Sequence, residues 1–111
     1  ILCSPSNPTG SVYSQEELKG LAEVLAKHER VIVIADEIYE HINYIGKHQS
    51  IAQFAEIKDR VVIVNGVSKA YAMTGWRIGR FHCRTGMDRK GSKQIAGTIY
   101  FRTLLCFTKS C

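Results

Sequence analysis

Two short, uninterrupted apolar runs, at residues 31–35 and 61–64, constrain the fold more than any other feature of the chain. Each is rich in β-branched residues and too short for a stable helix. Each also stops at a polar pair, Asp36-Glu37 after the first and Asn65-Gly66 after the second. Continuous rather than alternating hydrophobicity marks strands buried on both faces of a parallel sheet. Ile1-Leu2-Cys3 reads as the end of another such strand, entered from residues outside the given sequence, so the chain is expected to be a fragment.

The intervening segments complete the pattern. Ser4-Pro5-Ser6-Asn7-Pro8-Thr9-Gly10 is dense in turn formers, and its prolines push the residues before them away from helix, which predicts a shaped loop. A helix follows: Ser14 stands three residues before Glu17 in a capping-box arrangement. Leu18, Leu21, Ala22, Leu25 and Ala26 then recur at helical spacing, through His28. Residues 38–46 are irregular, with Tyr39, His41, Asn43 and Tyr44 pointing to a functional loop or short helix, and a brief helical turn is expected at 51–54. Strand, loop, helix, strand, connection, strand is the order of an α/β fold with a mostly parallel sheet. Ligands of such sheets sit beyond the carboxyl ends of the strands. Asn7, Asp36 and the pair Ser68-Lys69 each follow a strand end, so they are expected to converge on one crevice.

The net charge of +5 and four cysteines would suit a small basic binding module or a metal site, were they spread over the fold. They are not. Residues 80–111 hold seven Lys/Arg against one acid, Asp88, which leaves residues 1–79 with eight Lys/Arg and nine Asp/Glu. Cys83, Cys106 and Cys111 share that tail, at spacings that fit neither a CxxC pair nor a zinc ligand set. No metal and no nucleic acid is therefore expected. No apolar run approaches the roughly 18–20 residues of a membrane span, and no signal-peptide pattern is present. The expected location is the cytoplasm, with no membrane partner.

Taken singly, an Asp or Lys after a strand and an Asn-Pro-Thr-Gly turn are ordinary features. Together they match a family. Gly66-Val67-Ser68-Lys69-Ala70-Tyr71-Ala72-Met73-Thr74-Gly75-Trp76-Arg77-Ile78-Gly79 resembles, over fourteen positions, the cofactor-attachment signature of class I pyridoxal-phosphate-dependent aminotransferases. Ser6-Asn7-Pro8-Thr9-Gly10 and Ala35-Asp36-Glu37-Ile38-Tyr39 resemble the family's two other cofactor motifs, in the family's order. The wording is similar to the bacterial aspartate aminotransferase branch.

The resemblance implies part of the large cofactor-binding domain of that fold, with pyridoxal 5'-phosphate as cofactor. Lys69 would hold the cofactor as a Schiff base and then act as the catalytic proton shuttle. Asp36 would pair with the pyridinium nitrogen, and Asn7 and Tyr39 would hydrogen-bond the ring's 3-oxygen. Arg77 and Ser68 would take the phosphate; some relatives place the phosphate-binding serine where this chain has Gly66. The implied reaction moves an amino group from L-aspartate to a 2-oxo acid such as 2-oxoglutarate, in a homodimeric parent enzyme of which this chain is an inactive fragment. A pyridoxal-phosphate lyase or a transaminase of other specificity are the alternatives within the fold. His28, His41 and His48 share no helical face and are expected at the surface or in loops. Trp76, Tyr71 and Met73 are expected to pack locally near the attachment loop.

The resemblance covers residues 1–79 and stops at Gly79, beyond which residues 80–111 show no helical or strand period and read as an aberrant tail. Back-translating from His82 and dropping one nucleotide allows a string similar to the family's continuation. Met87-Asp88 forces a tryptophan codon in that frame whatever synonyms are chosen. Two readings of the tail compete, a divergent domain and a shifted reading frame between Gly79 and His82, and the second is the working hypothesis. Sequencing the gene across that point checks it, and an unbroken frame through the following codons refutes it.

Overall fold

The computed structural model describes residues 1–83. Four strands, β1 (Leu2–Cys3), β2 (Val33–Asp36), β3 (Val61–Gly66) and β4 (Gly79–Cys83), form one sheet in the order β1-β2-β3-β4. β1, β2 and β3 run parallel, and β4 returns antiparallel to β3. The mixed α/β architecture with a mostly parallel sheet is the one expected. One α-helix, α1 (Gln15–Ala26), links β1 to β2, and the long connection from β2 to β3 carries 3-10 turns at Ile51–Gln53 and Lys58–Arg60.

α1 begins where the sequence places it. Glu17 N–H donates to Ser14 Oγ at 3.2 Å, and Ser14 N–H donates to Glu17 Oε2 at 2.8 Å, a complete capping box. The helix ends two residues short of His28. There the bonds tighten to three-residue spacing, with Lys27 N–H to Val24 O and His28 N–H to Leu25 O. The sequence offers no basic residue in the last turn. Arg60 substitutes from far along the chain: its guanidinium donates to Leu25 O at 3.0 Å, His28 O at 2.8 Å and Val31 O at 2.9 Å. Leu25 O and His28 O each already accept one main-chain N–H, so Arg60 adds a second donor to them and ties the helix end to Val31.

The core lies on one side of the sheet. Leu18 and Ala22 from α1 pack with Val33 and Ala35 from β2, and with Ile51, Ile57 and Val61. Here the expectation of a run buried on both faces is corrected. Val33 and Ala35 are buried, whereas Ile32 and Ile34 are 54% and 40% exposed. Among the described residues only one face is covered, so β2 alternates. The strand also starts at Val33 rather than Val31. Val31 N–H bonds His28 O at 3.0 Å and its carbonyl accepts from Arg60, which removes both groups from the ladder.

The sheet continues past residue 79. Residues 80–83 belong to β4, in continuous register from Gly66↔Gly79 to Val62↔Cys83, and their Arg-Phe-His-Cys order alternates polar with apolar. Residues 84–111, where the rest of the expected tail falls, lie outside the described residues. Among the described residues no helix is long and apolar enough to cross a membrane.

Glu17's carboxyl is held below its ordinary pKa, first by the Ser14 N–H and then by the Ser14 hydroxyl. A depressed folded-state pKa contributes stability above the unfolded value and loses it as pH falls through the folded one. Ser14→Ala should therefore destabilise the fold by about 1 kcal/mol at neutral pH in urea titrations. The difference from wild type should shrink below about pH 4, as Glu17 is protonated.

Candidate active site

Three loops leave the carboxyl ends of β1, β2 and β3 side by side, because Cys3, Asp36 and Val64 lie in one row across the sheet. The first loop is closed on itself: Ser6 N–H donates to Ser11 O at 2.9 Å and Gly10 N–H to Ser6 O at 2.8 Å. Gly10 has φ +69°, in the left-handed region that glycine enters without a Cβ penalty. Ser4 ties the loop down, donating its N–H to Asp36 O and accepting Tyr13 N–H on its buried hydroxyl. The Ser4-Pro5 and Asn7-Pro8 bonds are both cis. Exposed Asn7 donates its side-chain amide to Tyr39 Oη at 3.3 Å.

Asp36 ends β2, half-buried. Its Oδ1 accepts Ile38 N–H at 3.3 Å, and its Oδ2 lies 3.9 Å from Cys3 Sγ. Lys69 stands in the loop after β3, clamped at its base by Val67 N–H to Ile78 O at 3.4 Å. Within that loop Tyr71 N–H bonds Val67 O, Ala72 N–H bonds Lys69 O, and Thr74–Trp76 forms a 3-10 turn. Ala72 and Arg77 hold φ values of 52° and 53°, a conformation that non-glycine residues adopt only where the surroundings impose it.

Tyr39 is the hub. Lys69 Nζ lies 5.6 Å from the centroid of its ring, within cation–π range, while its hydroxyl meets Asn7. The structure thus joins Asn7, Tyr39 and Lys69 directly. Asp36, Ser68 and Arg77 are positioned by strand register and loop closure, their described contacts lying elsewhere. Ser68 O accepts the Thr74 hydroxyl at 3.3 Å, and Arg77 donates to Thr74 O at 3.4 Å. Thr74 therefore links the two residues expected to serve one anion, and the sequence had not singled it out.

Several expected roles change. His48 lies in a loop, as expected, but half-buried, with Nε2 3.0 Å from the Oε2 of buried Glu37. His28 and His41 are exposed as expected, His41 pairing with Glu40 at 2.9 Å and meeting Tyr71 edge-on at 6.1 Å. Trp76 and Tyr71 are 66% and 63% exposed, so neither packs into the described part of the fold. Two surface grooves, one lined by Glu37, Glu40, Asn65 and Arg80 and the other by His41, Gly66, Tyr71 and Ile78, include neither Lys69 nor Asp36. The residues expected to carry the chemistry lie on the loops and the end of β2 instead.

The family model described as "Aminotransferase class I and II" matches residues 1–108. The chain belongs to that family. An aspartate aminotransferase of Pinus pinaster is 58% identical over 102 residues, 87% of this chain and 21% of that protein. The aspartate aminotransferase of Rhizobium meliloti superposes with a TM-score of 0.67 at 52% identity, covering 70% of this chain and 20% of that one. An aromatic aminotransferase from Pyrococcus horikoshii gives 0.71 at 44% identity, over 76% and 22%. The chain spans about a fifth of the length of the curated relatives it matches. Membership in this family implies pyridoxal phosphate as the cofactor.

The family's attachment loop is joined to β3 at a seam that admits no side chain. A Cβ on Gly66 would stand 2.8 Å from Ile78 O and 3.3 Å from Gly79 Cα, both backbone atoms of the neighbouring strand and its approach. Gly66→Ala should force β3 and β4 apart and lower stability by about 1–3 kcal/mol, read as a drop in thermal midpoint.

Proposed function

We propose that this chain supplies the cofactor-binding machinery of a pyridoxal-phosphate-dependent transaminase. The observation that carries the reading is the contact of Tyr39 with both Asn7 and Lys69 at the carboxyl end of the sheet. The donor set fits the cofactor group by group. It offers a primary amine for an aldehyde, a half-buried carboxylate for a protonated ring nitrogen, a phenol with an amide for a ring oxygen, and a guanidinium with a hydroxyl for a phosphate.

Bound pyridoxal phosphate supplies an electron sink for the carbanion character that develops at a substrate's α-carbon. The protein's part follows from its residues. Lys69 Nζ would hold the cofactor through its aldehyde carbon and, once released, carry the proton from the substrate α-carbon. Asp36, on a rigid strand end, would keep the ring nitrogen protonated, since a nearby carboxylate favours the charged form. Asn7 and Tyr39 would orient the ring through its oxygen. Ser68 and Arg77 would anchor the phosphate, with Thr74 fixing their separation.

We further propose L-aspartate as amino donor and 2-oxoglutarate as acceptor, which the names of the relatives support. The aromatic aminotransferase among the structural neighbours favours, as second reading, a transaminase of other specificity. A homodimeric, cytoplasmic parent enzyme accompanies the first reading. The division into residues 1–79 of the large domain and an aberrant tail at 80–111 is likewise our proposal. Alignments with several relatives that span 79–81 residues favour it, whereas the family model's match to residues 1–108 and the Pinus pinaster alignment run past it.

Incubation with pyridoxal phosphate, borohydride reduction and peptide mapping tests the central assignment. The label should concentrate on Lys69, and visible absorption of the bound cofactor should be lost in Lys69→Ala. Labelling spread evenly over the lysines, or absorption indifferent to the substitution, defeats it.

A further inference from the structure

Glu37 follows Asp36 directly, yet the residue is only 5% exposed and takes no part in the chemistry above. A carboxylate so buried is costly unless its oxygens are hydrogen-bonded. Both are. Oε1 accepts the Ser50 hydroxyl at 2.6 Å and Oε2 faces His48 Nε2 at 3.0 Å. The Glu37 main chain is equally engaged, its N–H donating to Val64 O at 2.9 Å and its carbonyl accepting Glu40 N–H at 2.9 Å. Ser50 in turn accepts Ala52 N–H at 3.2 Å at the start of the Ile51–Gln53 turn, where Ile51 enters the core at 1% exposure.

Glu37 therefore grips both ends of the connection spanning residues 37–50. One end is bonded to β3 and the other to the core, and the buried carboxylate closes the loop between them. Tyr39 rides on that loop, its carbonyl accepting Ile42 N–H at 2.8 Å. We infer that Glu37 is a positioning residue: through Ser50 and His48 it fixes the connection that sets Tyr39 against Asn7 and Lys69. The inference rests on the proposed function only for what Tyr39 and Lys69 do chemically; the geometry stands apart from it.

A cation site is the competing use of these groups, since ligand atoms of Glu37, Glu40 and His48 lie within 4.8 Å of one another. Protein partners already occupy them. Ser50 holds one Glu37 oxygen, while His41 Nε2 at 2.9 Å and Arg80 Nη2 at 3.5 Å both face Glu40 Oε1. A guanidinium beside the would-be ligand opposes a second cation, and the network satisfies the buried carboxylate without one.

The test uses nuclear magnetic resonance on the full chain without cofactor, comparing wild type with Glu37→Ala, Glu37→Gln and Ser50→Ala. The Tyr39 ring current should displace the Lys69 ε-methylene signal in wild type. In Glu37→Ala that displacement should collapse, and amide exchange at residues 39–50 should quicken by about tenfold or more while α1 keeps its rates. Glu37→Gln, which retains an acceptor for Ser50, should restore part of both, and Ser50→Ala should show the same loss in milder form. A merely structural role would lower overall stability and leave the Lys69 signal of the folded molecules in place.

An unchanged Lys69 signal in Glu37→Ala overturns the inference, as does loss of α1 protection in all three variants. A stoichiometric shift of the His48 ring signals on addition of Zn²⁺ overturns it in favour of a cation site. Reductive labelling of Lys69 by pyridoxal phosphate should also slow in Glu37→Ala. Absence of labelling in wild type would sink the cofactor reading alone, with the resonance data still deciding the role of Glu37.

Discussion

The register of β2 is the constraint on which the rest of the structure depends. β2 is hydrogen-bonded along both edges, to β1 through Leu2↔Ala35 and Cys3↔Asp36 and to β3 from Val33↔Val61 to Asp36↔Val64. A slip of one residue would turn Val33 and Ala35 out of the core and send Asp36 to the opposite face. The same register brings the ends of three strands level. Loops that are 30 or more residues apart in sequence then start from one line, and Asn7, Tyr39 and Lys69 can meet.

Much of this was legible in the sequence because it is local. Apolar runs ending in polar pairs marked β2 and β3, Ser14 and Glu17 marked the start of α1, and the Pro- and Gly-rich stretch marked the loop that presents Asn7. What escaped depends on partners remote in the chain. Nothing near α1 announces that Arg60, 35 residues beyond Leu25, will take its terminal carbonyls. Glu37 looks like half of a surface acidic pair until Ser50 and His48 fold back onto it. β4's alternation, Arg80-Phe81-His82-Cys83, spans only four residues and marks no strand until β3 pairs with it, and the open face of Ile32 and Ile34 shows that an apolar run reports a strand without reporting how many faces are covered.

The candidate site divides its labour between rigid and adjustable parts. Asp36 stands on a strand, paired on both sides, whereas Lys69 and Arg77 sit on a loop whose left-handed residues, Ala72 and Arg77, let it double back within twelve residues of Gly66. A group that must hold one ring atom in place gains from the first setting. A group that must move between two bonding partners gains from the second.

The seam at Gly66 reaches beyond local packing to how such sequences can diverge. With Ile78 O only 2.8 Å from the place a Cβ would take, a hydroxyl-bearing residue cannot enter at position 66 while the two backbones stay this close. A serine at position 66 and the present strand spacing are mutually exclusive, so substitution there and the width of the seam are coupled. With the seam this narrow, the hydroxyl open to the proposed anion contact is that of Ser68, two residues further along the loop.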